Sequence, residues 1–119
     1  MKTQSFKDLI VWQKAHKETV NVYQEFSPIK DFGFRDQIQR ASVSVMNNIA
    51  EGYARRSDKA FIHFLRIAKG SNTEVESMLI LAGSLHYISS DTQKRLLMGN
   101  EEIGKLLSGF IYKLSAEDY

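Results

Sequence analysis

The sequence predicts an all-α protein, an antiparallel up-down-up-down four-helix bundle, on three observations. Its 119 residues contain a single proline, Pro28. Alternating β-branched runs are scarce. Apolar residues instead recur at three- and four-residue intervals in four successive segments separated by short breaks. Helices of this length joined by loops of a few residues lie antiparallel to their sequence neighbours. No Gly/Ser-rich linker, low-complexity tract or repeat divides the chain, so residues 1–119 are expected to form one domain around one core.

The first helix is expected over about 7–26, where Leu9, Trp12, Ala15, Thr19, Val22, Tyr23 and Phe26 form a stripe, and Ser27-Pro28 disfavours its continuation. The second, about 34–54, sets an apolar stripe of Phe34, Ile38, Ala41, Val45 and Ile49 beside a polar one of Gln37, Arg40, Ser44, Asn47, Asn48, Glu51 and Arg55. Adjacent asparagines are mediocre helix formers that gain their place through partners for their amides, which points to a face meeting another protein surface. Ser57 is a fitting N-cap for the third helix, about 58–87, with Asp58 favourable in its first turn. This helix carries Phe61, Phe64, Leu65, Ala68, Val75, Met78, Leu79, Ala82 and Leu85. Its apolar face is broad, with Ile62 and Ile80 on one flank and Ile67, Met78 and Leu85 on the other; ordinary core packing accounts for most single positions, while together with the polar stripe of the second helix they favour a subunit interface in a homo-oligomer. Ser90 or Asp91 is expected to cap the fourth helix, about 91–114, whose stripe is Leu96, Ile103, Leu106, Leu107, Phe110, Ile111 and Leu114, with fraying expected from Ser115. The glycines in helical pattern read either as tolerated surface positions or, at Gly52 and Gly70, as places of close helix approach.

Composition narrows the function classes. The absence of cysteine removes disulfides and thiolate metal sites. No uncharged apolar run approaches a membrane-spanning length and no secretory leader pattern opens the sequence, so a cytoplasmic location is expected. The net charge of +2 is small, but its distribution is uneven. Between Arg35 and Lys69 stand seven basic residues against three acidic ones, and the remainder of the chain is slightly acidic.

Few residue patterns in the chain carry chemistry. His16, His63 and His86 lack the preceding glutamates of a Glu-x-x-His bundle site, and there is no H-E-x-x-H, phosphate-binding glycine loop or G-x-S-x-G elbow. His16 reads as a packed or interfacial histidine. Glu51, four residues before Arg55, has the orientation of a helix-stabilising ion pair and not of a general base. Glu74, Glu76, Glu101 and Glu102 are the raw material for a metal-dependent hydrolase, yet read better as solvated surface. The best recognition element is the Arg55-Arg56-Ser57-Asp58-Lys59 turn, continued by Arg66 and Lys69, since clustered guanidinium groups suit phosphates. A solvated, locally paired face is the competing reading.

The stretch QIQRASVSV at 37–45, followed by NIAEGY at 48–53, resembles the signature of bacterial 23S rRNA intervening-sequence proteins, often called four-helix bundle proteins. The similarity extends back to FKDLIVWQKA at 6–15 and forward through FLRIAKGS at 64–71 and Glu74, covering nearly the whole chain. The resemblance implies a four-helix subunit that assembles into a ring-like homopentamer, encoded within large-subunit rRNA genes or elsewhere in bacterial genomes. It also implies a fold similar to accessory proteins of diversity-generating retroelements, which bind nucleic acid and a reverse transcriptase. Those relatives are typically more basic, and this chain departs from that pattern. Five copies of a modest patch on one ring nevertheless gain through avidity. The positions matching the signature are Arg40, Asn48, Glu51, Gly52, Tyr53, Arg55, Gly70, Ser71 and Glu74. Of these, Arg40, Asn48, Glu51 and Glu74 are expected to join helices or subunits through buried hydrogen bonds.

The expected function is therefore that of a non-enzymatic homo-oligomer, a pentamer, binding RNA or a nucleoprotein partner through Arg55, Arg56, Lys59, Arg66 and Lys69. A protein-binding scaffold without nucleic acid is the alternative. No cofactor, metal, membrane or small-molecule substrate is expected.

Overall fold

A computed structural model describes residues 5–117. Its elements are a 3-10 turn, Phe6–Asp8, and four helices: α1 (Ile10–Phe26), α2 (Phe32–Ala54), α3 (Asp58–Ser84) and α4 (Ser90–Glu117). Among the described residues there is no strand, and no helix is long and apolar enough to cross a membrane.

Cross-helix contacts give the topology. Thr19 and Phe26 on α1 meet Ser42 and Phe34 on α2, so the two helices run antiparallel. Going backwards along α2, Gly52, Ser44 and Gln37 meet Phe64, Ser71 and Glu74 in forward order on α3. Phe61, Asn72 and Leu79 likewise meet Phe110, Asn100 and Gln93 on α4. The seam closes where Glu25, Glu18 and Lys14 of α1 face Arg95, Gly99 and Glu102 of α4. The result is the expected up-down-up-down bundle, in which the start of α1, the α2–α3 turn and the end of α4 share one end.

Local capping explains where the boundaries differ from the sequence expectation. Ser5 caps the 3-10 turn, Leu9 is extended, and only then does α1 begin, at Ile10 and not at residue 7. Asp31 accepts the Phe34 amide at 3.1 Å and starts α2 two residues earlier than expected. Ser57 caps α3 as anticipated, its Oγ accepting from the Ala60 amide. That helix stops at Ser84 because His86 turns into the left-handed region at φ 59°, with the Tyr87 amide bonding back to the Ala82 carbonyl. The cap of α4 is Ser89, whose Oγ accepts from the Thr92 amide at 3.1 Å, in place of Ser90 or Asp91. This helix continues through Glu117 where fraying was expected, and the last two residues of that stretch lie outside the described residues.

The core is two apolar clusters separated by a polar layer. One cluster gathers Val11, Ala15, Val45, Ile49, Phe61, Leu65, Ile103 and Leu107 at the end holding the α2–α3 turn. The other gathers Val22, Phe26, Ile38, Val75, Leu79 and Leu96 at the opposite end. Between them every helix contributes a buried polar residue: Glu18 and Thr19 from α1, Ser42 from α2, Asn72 from α3 and Asn100 from α4. Buried polar groups require partners. Thr19 Oγ1 donates to the Ala15 and Ser42 carbonyls, while Asn72 and Asn100 bond each other.

Candidate nucleic-acid interface

The α2–α3 corner is built by a glycine and a strained turn. A Cβ at Gly52 would lie 2.7 Å from Phe64 Cβ and 2.9 Å from Phe61 Cδ1, so the close approach expected at this position is present. Gly70, expected to do the same, faces open space. Beyond Ala54 the Arg55 and Arg56 amides bond back to the Gly52 and Tyr53 carbonyls, and Arg56 adopts φ 62°. The chain then extends through Ser57 into α3.

This turn presents three of the five predicted cations together. Arg55 Nη2 bonds Glu51 Oε1 at 2.9 Å, both side chains being about half exposed, and its guanidinium lies 5.0 Å over the Phe64 ring. Arg56 lies 5.9 Å from the Tyr53 ring. Lys59 is exposed on the first turns of α3, and Arg66, seven residues on, shares its face with exposed His63 between them. Arg56, Lys59 and Arg66 have no ion pair among the described residues. Lys69 is set apart, in a shallow depression of about 390 Å³ between α3 and α4 that also holds Glu76 and Glu101. Arg55, Arg56, Lys59 and Arg66 thus run from the turn along one face of α3, while Lys69, on the order of 15 Å along the axis from Lys59, is rotated towards α4, and the five do not form one pocket.

The polar stripe of α2 lies at the outer edge of the α2–α3 interface. Ser44 and Ser71 hydroxyls bond at 2.8 Å, and Gln37 Nε2 donates to Glu74 Oε2 at 3.2 Å. Asn48 Nδ2 donates within its own helix to the Ser44 carbonyl and hydroxyl. Arg40, Glu51 and Glu74 are exposed, so within the chain they do not form the buried hydrogen bonds expected of them. The apolar stripes of α2 and α3 fill the core and turn outward Arg40 and Glu51 on the first and Glu74 on the second. On α3, Ile62 and Met78 are buried, whereas Ile67, Ile80 and Leu81, with Leu85 just past the helix end, stay 40–52% exposed.

The remaining candidates separate. His16 is exposed and stacks on Trp12 at 5.0 Å. Glu74 bonds Gln37, Glu76 and Glu101 line the α3–α4 depression, and Glu102 pairs with Lys14 on the far seam. Among the described residues no three His, Asp or Glu side chains converge as a metal would require. The polar layer was missed from sequence, although Glu18, Asn72 and Asn100 fall at core-facing helical positions.

A model of the family described as 23S rRNA-intervening sequence protein matches residues 7–109. Among solved structures, a protein of unknown function from the S23 ribosomal protein family of Bacteroides thetaiotaomicron superposes with a TM-score of 0.82 at 28% identity, covering 86% of this chain and 98% of that chain. No curated protein matches the sequence.

Proposed function

Given that the chain belongs to the 23S rRNA-intervening sequence protein family, we propose that it is the non-enzymatic subunit of a cytoplasmic homopentamer that binds RNA or a nucleoprotein partner through the α2–α3 corner. Arg56 carries this reading. A residue forced into the left-handed region is ordinarily Gly or Asn, and a longer side chain there costs about 1–2 kcal/mol. Here the position holds an exposed arginine at φ 62° without an ion pair among the described residues. Retaining a cation against backbone preference fits a residue kept for an anionic partner. Lys59 and Arg66 extend the same exposed charge along α3.

Two features support assembly. The outer edge of α2 displays Arg40, Asn47 and Glu51, and the neighbouring flank of α3 with its C-cap leaves Ile67, Leu81 and Leu85 in water, while Ile80 is exposed on the opposite flank. The number five rests on the family resemblance. Exposed apolar side chains also favour the alternative, a scaffold that holds another polypeptide and no nucleic acid.

Binding of a short single-stranded RNA, followed by fluorescence anisotropy, is the test. Phosphate contacts predict an affinity that drops steeply with added salt and with combined Arg55→Gln, Arg56→Gln and Lys59→Gln replacement. Affinity indifferent to both treatments overturns the reading. Light scattering before and after nuclease treatment measures subunit number and retained nucleic acid together.

A further inference from the structure

Glu18 is the one titratable member of the polar layer. It is 8% exposed, and its Oε2 has no hydrogen-bond partner among the described residues. Its space is made by Gly99 on α4: a Cβ there would lie 3.0 Å from Glu18 Cδ, 3.3 Å from Oε2, and would overlap Oε1. The carboxyl is therefore pressed against a bare helix backbone.

The surrounding charges leave it unserved. Arg95 on α4 is the cation whose field reaches Glu18, but its guanidinium is held at the surface by Glu25 Oε1 at 3.1 Å. On the other side Lys14 is 3.5 Å from Glu102 Oε2. The buried residues of α2 and α3 bring no titratable group. An ionised carboxylate buried without a partner is far more costly than a neutral one.

We propose that Glu18 is a proton-operated latch on the α1–α4 seam: protonated, it allows α1 to lie closed against Gly99, and ionised, it loosens α1 from α4. These two helices are the adjacent pair joined by no loop, so they part without breaking a turn. Burial pushes the Glu18 carboxyl up from 4.5 to about 7, only partly opposed by Arg95. The closed form thus holds a proton that the open form releases. Closure is fully favoured below about 4.5, weakens as pH rises, and changes no further above about 7.

Hydrogen exchange of the full chain tests this, with rates corrected for intrinsic exchange. Between about pH 5 and about pH 7 the opening equilibrium of α1 amides is expected to rise roughly 40-fold. Glu18→Gln, which keeps the shape and removes the proton equilibrium, is expected to abolish that rise. In the unsubstituted chain, the ¹³C carboxyl resonance of Glu18 is expected to titrate near 7. Glu25→Gln, by freeing Arg95, is expected to move that midpoint downward. A Glu18 resonance titrating in the ordinary carboxylate range overturns the proposal, as does an undiminished pH dependence of α1 opening in Glu18→Gln.

Discussion

Asn72 and Asn100 exchange amide hydrogen bonds across the α3–α4 interface. Each Nδ2 donates to the other's backbone carbonyl, at 2.9 and 2.8 Å, and Asn100 also reaches Asn72 Oδ1 at 3.1 Å. Only one axial alignment of the two helices satisfies both amides, so the pair sets the register that apolar packing leaves loose. Asn72→Ala or Asn100→Ala strands buried polar groups, at a cost of about 1–3 kcal/mol each. Urea denaturation of both variants and their combination is expected to give a double loss smaller than the sum. Strict additivity would show that the two amides are not coupled.

Gly52 and Gly70 separate two roles of a helical glycine. Gly52→Ala drives a Cβ into Phe64 and Phe61, both of which belong to packed surfaces. Its expected cost is about 1–3 kcal/mol by overpacking, against the gain of about 1 kcal/mol in helix propensity. Gly70→Ala meets open space in the subunit and is expected to stabilise it by up to about 1 kcal/mol. Thermal denaturation compares the signs. Light scattering of Gly70→Ala adds a second readout, since a fold stabilised while assembly is lost would locate Gly70 at a contact between subunits.

The two left-handed residues predict divergent phenotypes. His86 and Arg56, at φ 59° and 62°, each occupy a conformation that glycine adopts freely. His86→Gly and Arg56→Gly are both expected to raise the thermal midpoint, by roughly 1 kcal/mol of stability each. Only Arg56→Gly is expected to weaken RNA binding as well. Unchanged binding in that variant counts against the assignment of Arg56.

The loop end of the bundle is tied by Tyr87, whose hydroxyl donates to Asp31 Oδ2 at 2.8 Å. That bond, aided by the Phe34 amide, holds the Asp31 carboxyl below its ordinary 3.8, and the same bond raises the Tyr87 hydroxyl above 10. The depressed carboxyl contributes stability that is present above 3.8 and lost as pH falls through its folded-state value. The raised phenol contributes stability that is present below 10 and lost as pH climbs through its folded-state value. Tyr87→Phe is therefore expected to remove from the alkaline limb of a pH–stability profile the part of the loss that comes from this bond, and to lessen the loss on the acid limb in part. Both limbs surviving unchanged would sever the link.

Helix type and topology were legible because they follow from period and loop length. Phe34, Ile38, Ala41, Val45 and Ile49 are all buried as the α2 stripe requires. Ser57 was recognisable because its cap is local, within three residues. Features depending on a partner helix were not legible. Leu85 fits the α3 period but is 45% exposed, because the helix ends one residue before it. Glu18 occupies a core position that no composition rule assigns to glutamate, and it is tolerated only because Gly99 stands opposite. In the candidate interface, the sequence places Arg55, Arg56 and Lys59 on one turn by adjacency alone. It carried Lys69 along with them because linear proximity does not register the rotation of a helix face towards α4.

Because α1 begins and α4 ends at the same pole as the α2–α3 turn, Ile10, Phe110 and Lys113 border one surface hollow there while Phe61 also packs on Phe110. A fluorophore or affinity handle attached beside either outer helix terminus consequently sits in the neighbourhood of Arg55, Arg56 and Lys59. Under the function proposed above, an acidic handle there is expected to compete with the anionic partner for those side chains, whereas one grafted into the Tyr87–Ser89 turn, at the opposite pole, is expected to leave them unhindered.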